Sequence, residues 1–554
     1  MKKHKYIFVT GGVMSGVGKG IAASSIGAIF KARGFTVTMI KIDPYINVDA
    51  GTMNPTEHGE VFVLEDGDET DQDMGNYERF LNISLTRTNY MTTGRVYQEV
   101  IRKERNLEYK GKNVEVVPDI PFEIIRRIEL ASDKANSDIT IIEIGGTIGE
   151  YQNMLFLEAA RMMKSRAHDD VAFVMVSYLP IPSKIGEMKT KPTQYASRTL
   201  NSAGIQTDLI IARASVPLDQ KRKDKIAMFC NIKTEGVISA PDVESIYDVP
   251  INFERDNLSS VLGAVLKLNL KNKPLNFGPW KSFVNKSKSV KKEVNIAVVG
   301  KYFSSGDFIL SDVYISVLEA LKYSAYKLNH KIKLHYIGSQ TFEKDAKKPT
   351  RQLGGLKELN QYDGILVPGG FGSNGVEGII SVIQYAREHK IPYFGLCYGM
   401  QLLVIEYARH VLKLKDANTA EINKDSKNLV IDIMPDQKKK VAEGNYGGTM
   451  RLGAYEAVIT RGTVAYEAYK NDAVEERHRH RYEVNPDYIQ KLTDAGLVFS
   501  GKSPDGILME IAELPKSKHP FFLGTQFHPE FLARPLAPHP LFTAFIKASI
   551  KKGS

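Results

Sequence analysis

The chain has 554 residues, of which 43% are hydrophobic and 25% charged, with a formal net charge of +10. This composition excludes bulk disorder, collagen-like chains and coiled coils. The length makes room for about three to four domains, or two large ones.

Two cysteines, Cys230 and Cys397, exclude a disulfide framework and place the chain in a reducing, cytoplasmic setting. No apolar run reaches about 18 residues, so no membrane span is expected. The start, Met1-Lys-Lys-His-Lys5, is followed by too short an apolar stretch for a signal sequence. Basic residues are spread along the chain, with only short clusters such as Lys438-Lys-Lys440. They do not alternate with aromatics, which argues against nucleic acid as a partner and favours small polyanions such as nucleotides.

In chain order, residues 6–10 predict a buried strand, followed by a Gly-rich turn, a helix over 20–33 and a strand over 36–40. Apolar β-branched runs at 139–144, 172–176 and 208–212 continue a parallel α/β sheet. Residues 273–293 hold Pro274, Gly278, Trp280 and a basic, aperiodic run, and are expected to be an exposed linker. A second α/β pattern follows at 294–300, 362–370 and 391–396. The expected organisation is therefore a domain over 1–272, a linker over 273–293 and a domain over 294–554.

Thr10-Gly-Gly-Val-Met-Ser-Gly-Val-Gly-Lys-Gly20 lies between strand and helix. Glycines let successive N–H groups converge on a phosphate, the helix N-terminus adds positive potential, and Lys19 reaches the terminal phosphates. The match to G-x-x-x-x-G-K-[ST] is imperfect: five residues separate Gly12 from Gly18, and Gly20 stands where a magnesium-binding hydroxyl belongs. Other oxygens must then serve the metal. The candidates are Asp73, in an acidic loop, and Glu143, at the end of a strand. Asp66, Asp68, Glu69 and Asp71 read as solvated loop charges, which is also the alternative for Asp73. Lys41 follows the second strand and shares the sheet edge with Lys19. Lys189-Thr-Lys-Pro-Thr-Gln194 and Lys225 suit a second polyanion, with solvated surface charge as the alternative for each.

Residues 393–396 run as a strand into Cys397-Tyr-Gly-Met-Gln401 and a helix, the layout of a nucleophile elbow with sulfur. The helix N-terminus favours thiolate. Pro368-Gly-Gly-Phe-Gly372 can supply an oxyanion-hole N–H, and Gln526-Phe-His-Pro-Glu530 offers His528 as base and Glu530 as its orienter. The alternative, an inert core cysteine, does not account for all three elements together.

These motifs, together with Lys41-Ile-Asp-Pro-Tyr-Ile-Asn-Val-Asp49, His58-Gly-Glu-Val-Phe-Val63 and Glu143-Ile-Gly-Gly-Thr147, resemble the cytidine triphosphate (CTP) synthase family over essentially the whole chain. The second half, including Arg477-His-Arg-His-Arg-Tyr-Glu483, resembles class I glutamine amidotransferases. The resemblance implies a P-loop-type parallel-sheet synthase domain followed by an α/β class I glutamine amidotransferase domain. The implied activity is ATP-dependent amination of UTP to CTP with ammonia from glutamine. It implies catalytic roles for Cys397, His528, Glu530, Lys19 and Lys41, and magnesium at Asp73 and Glu143. ATP contacts fall on Gly16, Val17, Gly18, Lys19, Gly20, Ile21 and Asp73, with Pro241, Asp242 and Val243 near the adenine. UTP and CTP contacts fall on Ser15, Glu150, Tyr151, Gln152, Lys189, Thr190, Lys191, Pro192, Thr193, Gln194 and Lys225. Glutamine contacts fall on Gly370, Tyr398, Gly399, Met400, Gln401, Glu421 and Arg481. The family also implies GTP as activator, CTP as feedback inhibitor and a homotetramer.

The chain departs from the family pattern at four places: Asn76 for the usual histidine, Tyr398 for the usual leucine, Glu150-Tyr151-Gln152 for Asp-Ile-Glu, and Ser177-Tyr-Leu-Pro180. A cobyrinate-type amidating synthase would lack Lys-Thr-Lys-Pro-Thr-Gln, and GMP synthetase has the reverse domain order. A regulatory P-loop ATPase with a degenerate amidase module is at odds with an intact Cys397, His528 and Glu530.

Overall fold

The computed structural model describes residues 2–53, 59–184, 186–305, 308–309, 311–343, 355–433 and 450–553. His58 and the cluster at 438–440 lie outside the described residues. The chain divides into two compact units: Met1–Ala50 with Asp73–Val284, and Gly51–Gln72 with Asn285–Ser554.

In the first unit, β1 (Lys5–Gly12) leads through the Gly-rich turn into α1 (Lys19–Ala32) and β2 (Val37–Asp43). Helix α2 (Asp73–Leu81) and β3 (Tyr90–Thr92) follow, then β4 (Ile139–Ile144), β5 (Val171–Tyr178), α3 (Lys191–Ser202), β6 (Leu209–Ala214), α4 (Gln220–Cys230) and β7 (Val237–Pro241). The seven strands form one parallel sheet in the order β3-β2-β4-β1-β5-β6-β7. The apolar runs are buried on both faces, as parallel strands covered by helices must be. Phe8, Ile40, Ile142 and Phe173 share one core cluster. The strand order reverses about β1, so the carboxyl ends of β1 and β4 open the crevice where such sheets bind ligands. Lys41 and Glu143 are register partners there, on β2 and β4.

The expected linker is not an extended coil. Residues Gly278–Ser289 form helix α5, with Trp280, Phe283 and Val284 buried. Their i, i+3, i+4 spacing makes one apolar face. The Trp280 ring lies 5.2 Å from Phe80 and 5.8 Å from Tyr247, and its Nε1 donates to the Tyr247 carbonyl at 2.9 Å. A single apolar face among basic residues is easily read as a solvated tract.

The second unit carries β8 (Glu293–Gly300), α6 (Ile315–Lys327), β9 (Lys331–Gly338), β10 (Gly364–Val367), β11 (Tyr393–Leu396), α7 (Tyr398–His410), β12 (Arg451–Ile459), β13 (Ala473–His480), β14 (Val498–Lys502), β15 (Met509–Glu513) and β16 (Phe522–Thr525). Nine strands pair in the order β9-β8-β10-β11-β16-β15-β14-β12-β13. The first five are parallel and the remainder antiparallel.

Residues 51–72 belong to this second unit. Phe62–Val63 and Glu69–Thr70 pair antiparallel. Ala454 N–H donates to the Glu65 carbonyl at 2.8 Å, and Gly67 approaches Leu452 so closely that a Cβ would sit 2.8 Å from its carbonyl oxygen. Phe62 meets Phe531 edge-on at 5.0 Å. The Glu60 carboxylate accepts from the Ser316 N–H at the start of α6, where a helix N-terminus favours negative charge. Asp68 and Glu69, expected as solvated charges, are buried, and Glu69 accepts from Arg479 Nε at 2.8 Å. That partner lies 410 residues away in sequence, beyond any local reading of an acidic loop.

Candidate active sites

In the first unit, Gly16 and Gly18 take positive φ (69° and 87°), and Lys19 opens α1 directly after that turn. The Lys19 Nζ donates to the Gly146 carbonyl, after β4, at 2.8 Å. Lys41 Nζ lies 3.0 Å from Glu143 Oε1 and 3.7 Å from Asp43 Oδ1, and also pairs with Asp73. Tyr77 donates to the other Glu143 oxygen. Burial raises the Glu143 carboxyl above its ordinary range, against the pull of Lys41. Burial lowers Lys19, against the pull of Glu143. A side chain at Gly20 would collide with the Asp73 carboxylate, so glycine there, in place of a hydroxyl residue, lets an acid from α2 reach the loop.

Two carboxylates with no sulfur or imidazole suit a hard cation such as magnesium, which keeps waters and phosphate oxygens for the rest of its shell. Among the described residues no group of three or more His, Cys, Asp or Glu side chains is placed to hold a metal alone. The residues therefore fit a magnesium that arrives with phosphate.

Beside the loop is a cavity of about 210 Å³ lined by Gly18, Ile21, Arg213, Pro241, Asp242 and Val243. Arg213 bridges it, donating to Asp242 Oδ1 at 2.7 Å and to the Val17 carbonyl at 3.4 Å. Sequence reasoning missed Arg213, which has no motif of its own on β6. Ser15 is exposed. Gln152 Nε2 donates to Glu150 Oε2 at 3.0 Å, while Tyr151 is 91% exposed. Lys191 and Pro192 start α3, Thr193 Oγ1 lies 2.8 Å from Ser177 Oγ, and Gln194 donates to Thr190 Oγ1 at 3.1 Å. Lys189 pairs with Glu187 at 2.6 Å. That pairing, helped by the charges of Arg222 and Lys225, lowers the Glu187 carboxyl, so these three cations share one field. Asn76 accepts from Arg79 Nη2 at 3.0 Å.

In the second unit, Cys397 sits between β11 and α7 at φ 48°. Only a surrounding structure that over-determines it keeps a non-glycine residue there. Its N–H donates to the Thr525 carbonyl at 2.6 Å. Gln526 Nε2, buried, lies 3.7 Å from Sγ. His528 Nδ1 is 2.7 Å from Glu530 Oε1, and the imidazole stacks on Phe531 at 5.1 Å. Among the described residues, the buried ring nitrogen His528 Nε2 has no hydrogen-bond partner. Burial works against the imidazolium, but the Glu530 and Cys397 charges outweigh it and push His528 up to about 10.

Cys397 and His528 line a cavity of about 300 Å³ with Gly370, Tyr398, Gln401, Glu421 and Arg481. Gly51, Glu60 and Val61 line it too. Gly399 and Met400 are buried outside that lining. Glu421 accepts from the Gly372 N–H at 2.7 Å, and burial raises its carboxyl. Lys301, Tyr302 and Arg479 were not picked out by spacing; Lys301 Nζ donates to the Phe371 carbonyl at 2.7 Å, and burial lowers it to about 8. Both cysteines are free and buried, and no described helix is long and apolar enough to cross a membrane.

Residues 5–268 match the family described as CTP synthase N-terminus, and residues 309–548 match glutamine amidotransferase class-I. The CTP synthase of Pyrococcus abyssi is 50% identical over 548 residues, 98% of each chain. That of Methanocaldococcus jannaschii is 48% identical over 551 residues, 99% of each chain. Among solved structures, the Trypanosoma brucei CTPS glutaminase domain with bound acivicin is 38% identical, covering 47% of this chain and 94% of that one, with a TM-score of 0.42. With a synthase-type sheet, an amidotransferase unit and full-length relatives at about half identity, the chain belongs to the CTP synthase family.

Proposed function

We propose that the second unit hydrolyses glutamine at Cys397 and that the first unit uses the released ammonia to aminate UTP, with ATP. As a CTP synthase family member, the enzyme is a ligase that forms CTP from UTP, ATP and glutamine. The observation that carries the division of labour is the buried His528–Glu530 pair beside the Cys397 elbow, in a cavity lined by Gln401, Glu421 and Arg481.

Cys397 Sγ attacks the glutamine amide carbon, and loop and helix N–H groups hold the oxygen as it becomes negative. His528 gives its proton to the departing ammonia, then takes one from the water that cleaves the thioester, leaving glutamate. Glu530 keeps the imidazole oriented. In the first unit the UTP 4-oxygen takes the terminal phosphoryl group of ATP, which turns a poor leaving group into phosphate. Ammonia then adds at carbon 4 and phosphate departs, giving CTP, ADP and phosphate. Lys19 and Lys41 offset phosphoryl charge, and Ser15, the 189–194 loop and Lys225 hold the pyrimidine nucleotide. Asp242 and Val243 contact the adenine. Asp73 and Glu143 would hold magnesium, which when bound neutralises charge on the transferring phosphate.

We assign GTP as activator, CTP as feedback inhibitor through Glu150, Tyr151 and Gln152, a homotetrameric assembly and a cytoplasmic location. The test mixes UTP, ATP, magnesium and glutamine and follows CTP absorbance, with GTP and CTP added separately. CTP formation that needs all four supports the reading. Glutamine hydrolysis without CTP, under every nucleotide condition, overturns it.

A further inference from the structure

The turn 369–372, which follows β10, is held by four backbone atoms. Phe371 N–H donates to Tyr302 Oη at 3.2 Å, and the Phe371 carbonyl accepts from Lys301 Nζ at 2.7 Å. Gly372 N–H donates to Glu421 at 2.7 Å, and the Gly372 carbonyl accepts from Tyr398 Oη at 2.8 Å and also from Lys301. Tyr398 is the residue directly after the nucleophile and the first of α7. It is 2% exposed, and Lys301 Nζ lies 4.9 Å above its ring. A leucine or phenylalanine at this position would have no hydroxyl to give.

One residue thus joins the start of the helix after the nucleophile to the 369–372 turn. The backbone N–H after a nucleophile elbow faces the oxygen of the tetrahedral intermediate, and the second donor comes from a neighbouring loop. The Tyr398 side chain reaches back to that loop. Of the contacts of Gly372, its N–H engages Glu421, whose carboxylate lines the same cavity as Cys397. Those from Tyr398 and Lys301 go to the Gly372 carbonyl and leave its N–H untouched. Burial raises the Tyr398 phenol well above its ordinary range, so it keeps its proton as a donor.

We propose that Tyr398 is a positioning residue for glutamine hydrolysis: its hydroxyl, by holding the Gly372 carbonyl, fixes the 369–372 turn at the spacing from the Tyr398 N–H at which both loops stabilise one oxyanion. The proposal rests on Cys397 as the nucleophile. It predicts an effect on the transition state and little effect on ground-state glutamine binding.

The test uses the full chain and two variants, Tyr398→Phe, which removes one oxygen, and Tyr398→Leu, which removes the ring as well. Glutamine hydrolysis gives kcat and KM. Glutamate γ-semialdehyde, whose adduct with Cys397 is tetrahedral, gives an inhibition constant. The expected result for Tyr398→Phe is a kcat lower by about tenfold, below the 10²–10³ lost with a direct oxyanion donor. KM should stay within about twofold and the aldehyde should bind about tenfold more weakly. Tyr398→Leu should lose at least as much. An unchanged kcat, a rise in KM alone, or a lower kcat with unchanged aldehyde binding each overturns the proposal. Cys397→Ala is run in parallel. If it still hydrolyses glutamine, the nucleophile assignment fails; if it is inactive while Tyr398→Phe matches the wild type, the clasp alone fails.

Discussion

His528 Nδ1 lies 2.7 Å from Glu530 Oε1, and both side chains are buried. The carboxylate is the largest influence favouring the imidazolium, which reaches about 10 against an ordinary 6.5 despite burial. Because Glu530 and Cys397 together raise the folded value, the charged imidazole stabilises the fold fully below about pH 6.5, a contribution lost as the pH rises through about 10. Glu530→Gln should therefore move the alkaline limb of kcat/KM for glutamine to lower pH. It should also lower kcat by orders of magnitude, up to the roughly 10⁴ seen when a triad loses its orienting acid. A pH–rate profile of both proteins checks this, and coincident alkaline limbs would contradict the pairing.

Cys397→Ala separates the two chemistries. Glutamine-dependent CTP formation should fall by about 10⁴-fold or more, while synthesis from added ammonium salt persists. Parallel assays with the two nitrogen sources decide it. Loss of both in a folded protein would mean that Cys397 serves more than glutamine hydrolysis.

Lys19→Ala should reduce synthesis by about 10²-fold or more with either nitrogen source, as expected when a preorganised charge is removed from phosphoryl transfer. Asp73→Asn should act similarly and weaken magnesium-dependent ATP binding in a calorimetric titration. Near wild-type turnover with ammonia would remove either residue from that site.

Gln152 donates to Glu150 at 3.0 Å, so a neutral amide stands beside that carboxylate. A hydrogen bond to a charged group is worth roughly 1 kcal/mol more than a neutral one. Gln152→Glu should thus strengthen CTP inhibition by about fivefold, with a smaller change for UTP. Inhibition curves at fixed UTP and ATP test it; superimposable curves would mean that Gln152 does not tune the inhibitor.

Trp280→Ala should destabilise the first unit by about 3–5 kcal/mol. It empties a cluster with Phe80, Tyr247 and Phe283 and leaves the Tyr247 carbonyl without the indole donor. Chemical denaturation measures the loss. A cost below about 1 kcal/mol would return 278–289 to a solvated tract.

The sequence made legible what is local in the chain. Cys397 stands at a strand–helix junction, and His528 and Glu530 are two residues apart, so spacing alone brings out their chemistry. Lys41 and Glu143 were found as strand ends, and parallel register makes them neighbours. Arg213 and Lys301 were invisible, and Arg479 stood in a motif without a role of its own, because each gains meaning only from a distant backbone segment or carboxylate. The burial of Asp68 and Glu69 was hidden for the same reason. Helix α5 was missed because its apolar face spans little more than one turn.

Residues 51–72 have a consequence for exchange of parts between enzymes. A graft cut once near residue 285 would transfer Cys397, His528 and Glu530 intact. It would leave behind Gly51, Glu60 and Val61 from the wall of their cavity, and the carboxylate that caps Ser316. Recombination within this family is therefore constrained to keep the two stretches as a matched pair: a hybrid whose 51–72 segment comes from one parent and whose amidotransferase comes from another inherits a mosaic pocket.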